Sequence, residues 1–186
     1  LTILKNLNYL MSKLKEILVN KNICKSVWFM RQAGRYLPEF RKIRSQNLNF
    51  IDLCLNSELS SEITLQPITR FNLDSAIIFS DILMVPYALG QKVEFIKDMG
   101  PKLEEFNFKI FTMNNEKSFT QKLLPVYEAI SKTRNKLDKE KSLIAFVGAP
   151  WTLLIYMLNL KLDKKTVDYE KIESKTPTSN WTTRLD

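Results

Sequence analysis

The sequence of 186 residues contains no histidine. A Ser-His-Asp triad, a Cys-His nucleophile pair and a histidine-ligated metal site are therefore excluded for these residues. The two cysteines, Cys24 and Cys54, form no CxxC pattern, so the sequence predicts no zinc site and no other metal. We expect both thiols to be reduced and buried.

Long apolar runs and glycine are also scarce. No run approaches the ~18 residues that a membrane span needs, and the apolar residues near the start alternate with Lys and Asn, unlike those of a signal peptide. The sequence therefore predicts a soluble, cytoplasmic protein. The chain has only four glycines, at positions 34, 90, 100 and 148, and each is a candidate for a site where the backbone needs glycine.

Positive charge is abundant, with a formal net charge of +8 and a pI near 9.4. Such a balance is compatible with nucleic acid, an acidic membrane surface or a polyanionic small molecule as the partner, and composition does not choose among them. The distribution of arginine says more, because four of only 7 arginines fall between Arg31 and Arg44. Guanidinium groups grip carboxylates and phosphates with two hydrogen bonds, so the cluster predicts an anion site. A solvated basic loop is the ordinary alternative.

Three apolar runs of strand length are each followed by polar or turn residues. These runs are residues 27–30 before Arg31, residues 76–79 before Ser80 and Asp81, and residues 142–148 before the turn at 149–152. Helical periodicity separates them, and together they favour an α/β fold with a parallel sheet. In such folds the functional groups lie at the carboxyl ends of the strands. The predicted helices cover residues 9–19, 38–44, 57 onwards, 118–137 and 153–160.

Several boundaries can be predicted from single residues. Asn56 is placed to cap the helix that begins at Ser57, and a capping box starts at Ser118. Pro67 and Pro125 should kink or interrupt their helices. The alternating stretch 92–97 predicts a strand or a hairpin arm between turns at Gly90 and Gly100.

Four motifs in this sequence have a common resemblance. Residues 28–41 contain Arg-Gln-Ala-Gly-Arg, residues 62–71 read Glu-Ile-Thr-Leu-Gln-Pro-Ile-Thr-Arg-Phe, residues 79–83 read Phe-Ser-Asp-Ile-Leu, and residues 148–153 read Gly-Ala-Pro-Trp-Thr-Leu, with Tyr156 following. In this order they resemble the uroporphyrinogen decarboxylase family, over about residues 11–158.

The resemblance implies a (β/α)8 barrel, which this chain would form incompletely, with about four to five parallel strands. It also implies an enzyme that uses no cofactor and forms a homodimer, with no nucleic acid or membrane partner. The implied reaction removes the four acetate carboxylates of uroporphyrinogen III and gives coproporphyrinogen III in haem biosynthesis. A substrate with eight carboxylates would account for an arginine-lined, basic site.

The resemblance also assigns residues to the site. Arg31 and Arg35 match the family's carboxylate-binding arginines, and Asp81 matches the aspartate that faces the pyrrole N–H groups. Asp81 and Arg31 are thus the expected catalytic residues. The full expected substrate-binding set is Arg31, Gln32, Ala33, Gly34, Arg35, Asp81 and Tyr156. On spacing alone, Asp81 could equally be a helix cap and Tyr156 an ordinary half-buried aromatic residue.

A complete barrel needs roughly 200–250 residues. We therefore interpret residues 11–160 as the N-terminal half of the family's barrel, residues 1–10 as an upstream extension before a natural start at Met11, and residues 161–186 as a non-homologous disordered tail. Two hypotheses follow, a decarboxylase by descent and a non-catalytic remnant that binds anions or misfolds, with at most trace activity for this chain. A corrinoid or thiol methyltransferase is less well supported, because such enzymes need a His/Cys metal site.

Overall fold

The structure is a computed structural model, which describes residues 12–21, 24–96, 99–113 and 115–160. The predicted extension, Met11 and the predicted tail at 161–186 lie outside the described residues. The described residues divide into two compact units. The first consists of residues 12–81 and 123–146, and the second of residues 82–122 and 147–160.

Helices dominate the described residues. A π-helical turn at Glu16–Asn20 follows the first short helix. The α-helices are α1 (Lys13–Lys15), α2 (Pro38–Gln46), α3 (Phe50–Leu55), α4 (Ser57–Phe71), α5 (Met84–Ala88), α6 (Phe108–Met113), α7 (Glu116–Lys136) and α8 (Pro150–Met157), and the strands are β1 (Ser75–Ile77), β2 (Val93–Ile96), β3 (Gly100–Leu103) and β4 (Ser142–Ile144).

The first unit is built around one parallel strand pair. Strand β1 pairs with β4 in the register Ser75↔Ser142 to Ile77↔Ile144. This confirms the parallel arrangement of the predicted strands at 76–79 and 142–148, although both are shorter than predicted. The fold is therefore α/β with parallel strands, as predicted. The described residues contain two parallel strands rather than four or five.

The predicted strand at residues 27–30 was wrong, because the structure has no strand there. A single backbone hydrogen bond, from the Asp74 amide to the Val27 carbonyl (3.0 Å), joins this segment to the start of β1. The reason lies at the free edge of β1, where the side chain of Gln32 already bonds to the backbone. As a result, Phe29 and Met30 are 61% and 80% exposed.

Helix α4 begins as predicted, since the Asn56 side chain accepts a hydrogen bond from the Leu59 amide. The predicted interruption at Pro67 was wrong, because α4 runs from Ser57 to Phe71 without a break. Pro67 is fully buried, so tertiary packing offsets the backbone hydrogen bond that proline removes.

Helix α7 differs from its prediction in two ways. It begins at Glu116, and the Asn115 side chain accepts from the Ser118 amide at 2.9 Å, so Ser118 is a first-turn residue and not the cap. The helix also continues through Pro125 to Lys136.

The core of the first unit has two clusters of buried apolar side chains. One joins α2, α3 and α4 through Leu37, Phe40, Ile43, Leu53 and Ile63. The other joins the end of α4 to β1 and the end of α7 through Ile68, Leu73, Ala76 and Leu137. The second cluster therefore packs against β1 through Ala76, and the first packs against Phe79, which follows β1.

The second unit contains the predicted hairpin. Strands β2 and β3 pair antiparallel from Val93↔Leu103 to Ile96↔Gly100, and Gly100 has a φ of +88°, which favours glycine. Helix α8 begins at Pro150, earlier than the predicted Leu153, because Pro150 forms its first turn. A Cβ at Gly148 would lie 2.6 Å from the Leu153 side chain, so packing also requires this glycine.

The cysteine prediction held only in part. Cys54 is buried and free, as predicted, whereas Cys24 is exposed. Of the helices in the described part of the chain, none combines the length and the apolar character of a membrane span.

Candidate active site

The loop that carries the arginine motif begins with an unusual backbone conformation. Arg31 has a φ of +62°, a left-handed conformation that is uncommon for any residue other than glycine. Such a conformation costs on the order of 1–3 kcal/mol and persists when the surroundings enforce it. The contacts of the residues next to Arg31 supply that enforcement.

Gln32 is the main anchor of this loop. Its side chain is buried, and its amide bonds to β1 twice: Nε2 donates to the Ser75 carbonyl at 2.6 Å, and Oε1 accepts from the Ile77 amide at 3.0 Å. A residue in a neighbouring parallel strand would bond to the same two backbone groups. The glutamine side chain therefore substitutes for one residue of a third strand and fixes Arg31 beside β1.

The other end of the loop is held by two side chains. The Tyr36 hydroxyl donates to the Gln32 carbonyl, and the Tyr36 ring stacks on Phe71 with centroids 6.3 Å apart. Arg41, in the first turns of α2, donates through Nη1 to the carbonyls of Arg35 (2.7 Å) and Tyr36 (3.3 Å). The loop from residue 31 to residue 36 is thus fixed at both ends.

The segment before the loop is fixed by Asp74. Its carboxylate accepts from the Val27 amide at 2.8 Å and from Lys13 Nζ at 2.9 Å. The Lys13 ammonium, and then the Val27 amide, hold the pKa of Asp74 below its usual value. The carboxylate is therefore charged at neutral pH and ties two segments to the start of β1.

The four clustered arginines have different roles. Arg41 binds backbone carbonyls, as described above. Arg44 donates to the carbonyls of Asn47 and Leu48 and lies over the Phe50 ring at 5.7 Å. Arg31 and Arg35 are exposed, and in the described ranges neither guanidinium group has a hydrogen bond or ion pair to another residue. These two guanidinium groups are therefore available to an anionic ligand.

The two small residues between those arginines differ in packing. Ala33 packs against the first core cluster. A Cβ at Gly34 would meet only the Tyr36 ring, at 3.7 Å and 3.8 Å, which is ordinary van der Waals contact. The fold itself therefore does not require glycine at position 34.

Asp81 lies two residues after Phe79, and α4 holds Phe79 on both sides of its backbone. The Phe79 amide donates to Thr64 Oγ1 at 2.8 Å, and Ser60 Oγ donates to the Phe79 carbonyl at 2.7 Å. Thr64 in turn donates to the Ser60 carbonyl at 2.7 Å. The backbone that leads to Asp81 is therefore tied to a buried face of α4.

The charge of Asp81 acts on a buried thiol. Burial raises the pKa of Cys54, and the negative charge of Asp81 raises it further, while Arg44 acts in the opposite direction. Cys54 is therefore a neutral thiol at physiological pH, and its place in the core of α3 makes it a packing residue.

Both halves of the site attach to one strand. Gln32 binds β1 at Ser75 and Ile77, and Asp81 follows Ile77 by four residues. Four residues of chain span at most about 14 Å, so Asp81 lies within about that distance of Ile77, on the segment that follows the carboxyl end of β1. That Arg31, Arg35 and Asp81 form one site stays a prediction.

Tyr156 belongs to the second unit. It lies near the end of α8 and is 39% exposed, while Leu153, Ile155 and Met157 of the same helix are buried. Half-exposure leaves its ring and hydroxyl accessible. It is also what an ordinary amphipathic helix would give, so the role of Tyr156 stays a prediction.

Sequence reasoning missed the residues that position the site. Ser60 and Thr64 are four residues apart on a buried face of α4. Hydroxyl groups on an apolar face need hydrogen-bond partners, so this spacing is the sequence signal that could have identified them. Gln32 was predicted as a substrate-binding residue, and the role of its side chain as an anchor on β1 was missed.

Comparison with known proteins identifies the family. The family model for uroporphyrinogen decarboxylase matches residues 24–177. The chain belongs to the uroporphyrinogen decarboxylase family. The match includes Arg31, Arg35, Asp81 and Tyr156, and it extends beyond residue 158, where the resemblance in the sequence ended.

Similar proteins come from Rickettsia and Orientia species. A uroporphyrinogen decarboxylase of Rickettsia felis is 45% identical over 159 residues, which is 80% of this chain and 45% of the relative. One of Rickettsia africae is 48% identical over 139 residues, covering 73% of this chain and 39% of the relative. One of Orientia tsutsugamushi is 45% identical over 148 residues, covering 80% and 43%. The chain thus spans less than half the length of these relatives.

Proposed function

We propose that this chain is part of a uroporphyrinogen decarboxylase, which converts uroporphyrinogen III to coproporphyrinogen III by removing four acetate carboxylates. The observation that carries the proposal is the pair of open guanidinium groups, Arg31 and Arg35, on a loop anchored to the same strand that leads to Asp81. The (β/α)8 barrel, the homodimer and the cytoplasmic location expected of the family belong to the same proposal.

In this proposal, Arg31 and Arg35 bind carboxylates of the substrate. Each guanidinium offers a planar fork of N–H donors that remains charged at any physiological pH. Because the loop is fixed by Gln32 and Arg41, little conformational freedom is lost when the ligand binds. The backbone at Gly34 is open enough to approach the ligand.

Asp81 would act on the charge that develops during the reaction. Loss of carbon dioxide leaves the electron pair of the broken C–C bond, and a protonated pyrrole can accept that pair. A fixed carboxylate facing the pyrrole nitrogens stabilises the positive charge of that protonated ring. A proton then replaces carbon dioxide on the side-chain carbon, with Arg31, or water bound to it, as the candidate donor, and the pyrrole ring releases the proton that it had gained.

Binding of uroporphyrinogen III under anaerobic conditions, with product formation followed by chromatography, tests the proposal. We expect the 186-residue chain to bind the substrate, and we expect Asp81→Asn and Arg31→Lys to weaken binding by about tenfold or more. The proposal fails if the chain binds no porphyrinogen, or if both variants bind like the wild type.

Anion binding without turnover is the second candidate. It is favoured by the location of both open arginines and Asp81 within the first unit, while Tyr156 lies in the second. Under this candidate the chain binds uroporphyrinogen and gives at most trace coproporphyrinogen. Sustained turnover by this chain would exclude it.

A further inference from the structure

We infer that Ser60 and Thr64 are positioning residues, which hold the Phe79 backbone and thereby set the position of the Asp81 carboxylate. The inference rests on the proposed function for the role of Asp81. Helix α4 would thus position a catalytic group, although Ser60 and Thr64 belong to neither the arginine motif nor the aspartate motif.

Ser60, Thr64 and the backbone of Phe79 form a closed set of hydrogen bonds. The Thr64 hydroxyl donates to the Ser60 carbonyl, so its lone pairs remain to accept from the Phe79 amide. Ser60 Oγ donates to the Phe79 carbonyl. Both polar groups of one backbone unit are thus satisfied by one helix, in the way that a neighbouring strand would satisfy them.

The side chains of Ser60 and Thr64 are shielded from water. Ser60 and Thr64 are 1% and 0% exposed, so water cannot replace either hydroxyl when it is removed. An unpaired buried amide is unfavourable, and hydrogen bonds inside the protein are stronger than in water. The position of Phe79 therefore depends on these two side chains.

The side chain of Phe79 is also held in place. Its ring packs edge-on against Phe40 at 5.8 Å and against Phe50 at 5.7 Å. Because its ring is packed between two aromatic rings and its backbone amide and carbonyl are both hydrogen-bonded, Phe79 is held in one position. Only Ser80 separates it from Asp81, so displacement of Phe79 moves the carboxylate, and a shift of about 1 Å in a site can cost about 100-fold in rate.

The chain contains a matched control. Thr133 in α7 is also 0% exposed and also donates to the carbonyl four residues earlier, Ala129, at 2.7 Å. Among the described residues, its hydroxyl accepts no hydrogen bond from a backbone amide outside α7. Thr64→Val and Thr133→Val therefore remove the same group in the same setting, and only Thr64→Val removes the acceptor for Phe79.

Amide hydrogen exchange of the full chain, read by mass spectrometry at residues 79–82, is the first test. Thr64→Val should accelerate exchange at Phe79 by about tenfold or more, while Thr133→Val should leave it near the wild-type value and Thr64→Ser should restore protection. Equal acceleration in the two valine variants would overturn the inference, because it would reflect global destabilisation. If Thr64→Val does not fold, Ser60→Ala takes its place, since it removes only the donor to the Phe79 carbonyl.

Uroporphyrinogen affinity gives the second test. Thr64→Val should lower affinity by about tenfold in the wild type, but it should have no further effect in the Asp81→Asn background, because its effect acts through Asp81. An equal loss in both backgrounds would overturn the inference. If the wild type binds no porphyrinogen, the proposed function fails, while the exchange experiment still decides whether Ser60 and Thr64 fix Phe79 and the amides that follow it.

Discussion

Two adjacent regions of this chain use the same residue type for different purposes. In the loop from residue 31 to residue 36, the guanidinium groups of Arg31 and Arg35 have no protein partner among the described residues. In the region of α2 that follows, Arg41 and Arg44 each bind two backbone carbonyls. The clustering of arginine marks the region, and the hydrogen bonds show which of its arginines are open to a ligand.

The difference between the two regions shows that an arginine bonded to the backbone can hold in place the loop that carries an arginine available to a ligand. Arg41 bonds to the carbonyl of Arg35 itself, so one guanidinium fixes the backbone that presents another. Gln32 fixes the other end of the same loop. A charged, unpaired guanidinium group on a fixed backbone suits recognition of a carboxylate, since the backbone loses little entropy on binding.

The largest effect should come from replacing the open arginines. Arg31→Lys or Arg35→Lys keeps the charge and loses the planar fork, so we expect uroporphyrinogen affinity to fall by about 10- to 100-fold, as measured by fluorescence titration under anaerobic conditions. Lys15→Ala is the matched control for general positive charge. Lys13 is unsuitable, because its ion pair with Asp74 is part of the fold.

Equal losses in Arg31→Lys and Lys15→Ala would contradict the comparison. They would mean that the substrate responds to the positive field of the whole chain and not to specific guanidinium groups. Raising the salt concentration separates the two cases as well, since a long-range field is screened more strongly than a direct contact.

The second effect concerns Arg41. Arg41→Ala removes the donors to two carbonyls of the loop, so it should lower the free energy of unfolding by about 1 kcal/mol. Thermal melting measures that loss. Affinity should fall less than for Arg35→Lys, because the ligand-binding group itself is still present. A greater loss of affinity than of stability would show that Arg41 also contacts the ligand.

The distinction between these arginines could not be predicted from the sequence, although much of the fold could. The parallel pairing of β1 and β4, the Asn56 cap and the β2–β3 hairpin all follow from local patterns. These features depend on apolar periodicity and on residues with strong positional preferences. They are therefore visible without knowledge of tertiary contacts.

The larger errors come from tertiary contacts, whereas the starts of α7 and α8 were misplaced for local reasons, at Asn115 and Pro150. The apolar run at 27–30 has the composition of a strand, but Gln32 occupies the backbone groups of β1 that such a strand would use. Pro67 and Pro125 lie within continuous helices because packing outweighs the local loss of one hydrogen bond. Likewise, the roles of Ser60 and Thr64 depend on their hydrogen bonds to the backbone of Phe79, which lies beside them only in the folded structure.

The third effect is a dependence on pH at the start of the arginine loop. The pKa of Asp74 is lowered in the folded state, first by Lys13 and then by the Val27 amide. Its contribution to stability is therefore present above the unfolded value of about 3.9 and is lost as the pH falls through the lower folded value. Acid unfolding, followed by tryptophan fluorescence, should show this loss below about pH 4.

Asp74→Asn is the variant that isolates this group. It removes the titrating carboxylate, so its stability should be lower at neutral pH and should change less between about pH 4 and pH 2. A wild type and an Asp74→Asn variant with parallel acid profiles would show that other carboxylates, such as Glu39 beside Arg70, dominate acid unfolding.

The smallest effect on stability should come from Gly34→Ala, within about 0.5 kcal/mol of the wild type. The new methyl group meets only the Tyr36 ring at ordinary distance, and glycine replacement also reduces the freedom of the unfolded chain. Gly90→Ala is the contrasting variant. Gly90 has a φ of +96°, and a Cβ there would lie 2.8 Å from the Ile110 side chain, so this variant should be less stable by about 1–3 kcal/mol.

If the loop backbone contacts the substrate, Gly34→Ala will lower uroporphyrinogen affinity several-fold while thermal melting stays unchanged. Unchanged affinity would restrict recognition to the guanidinium groups on either side of Gly34.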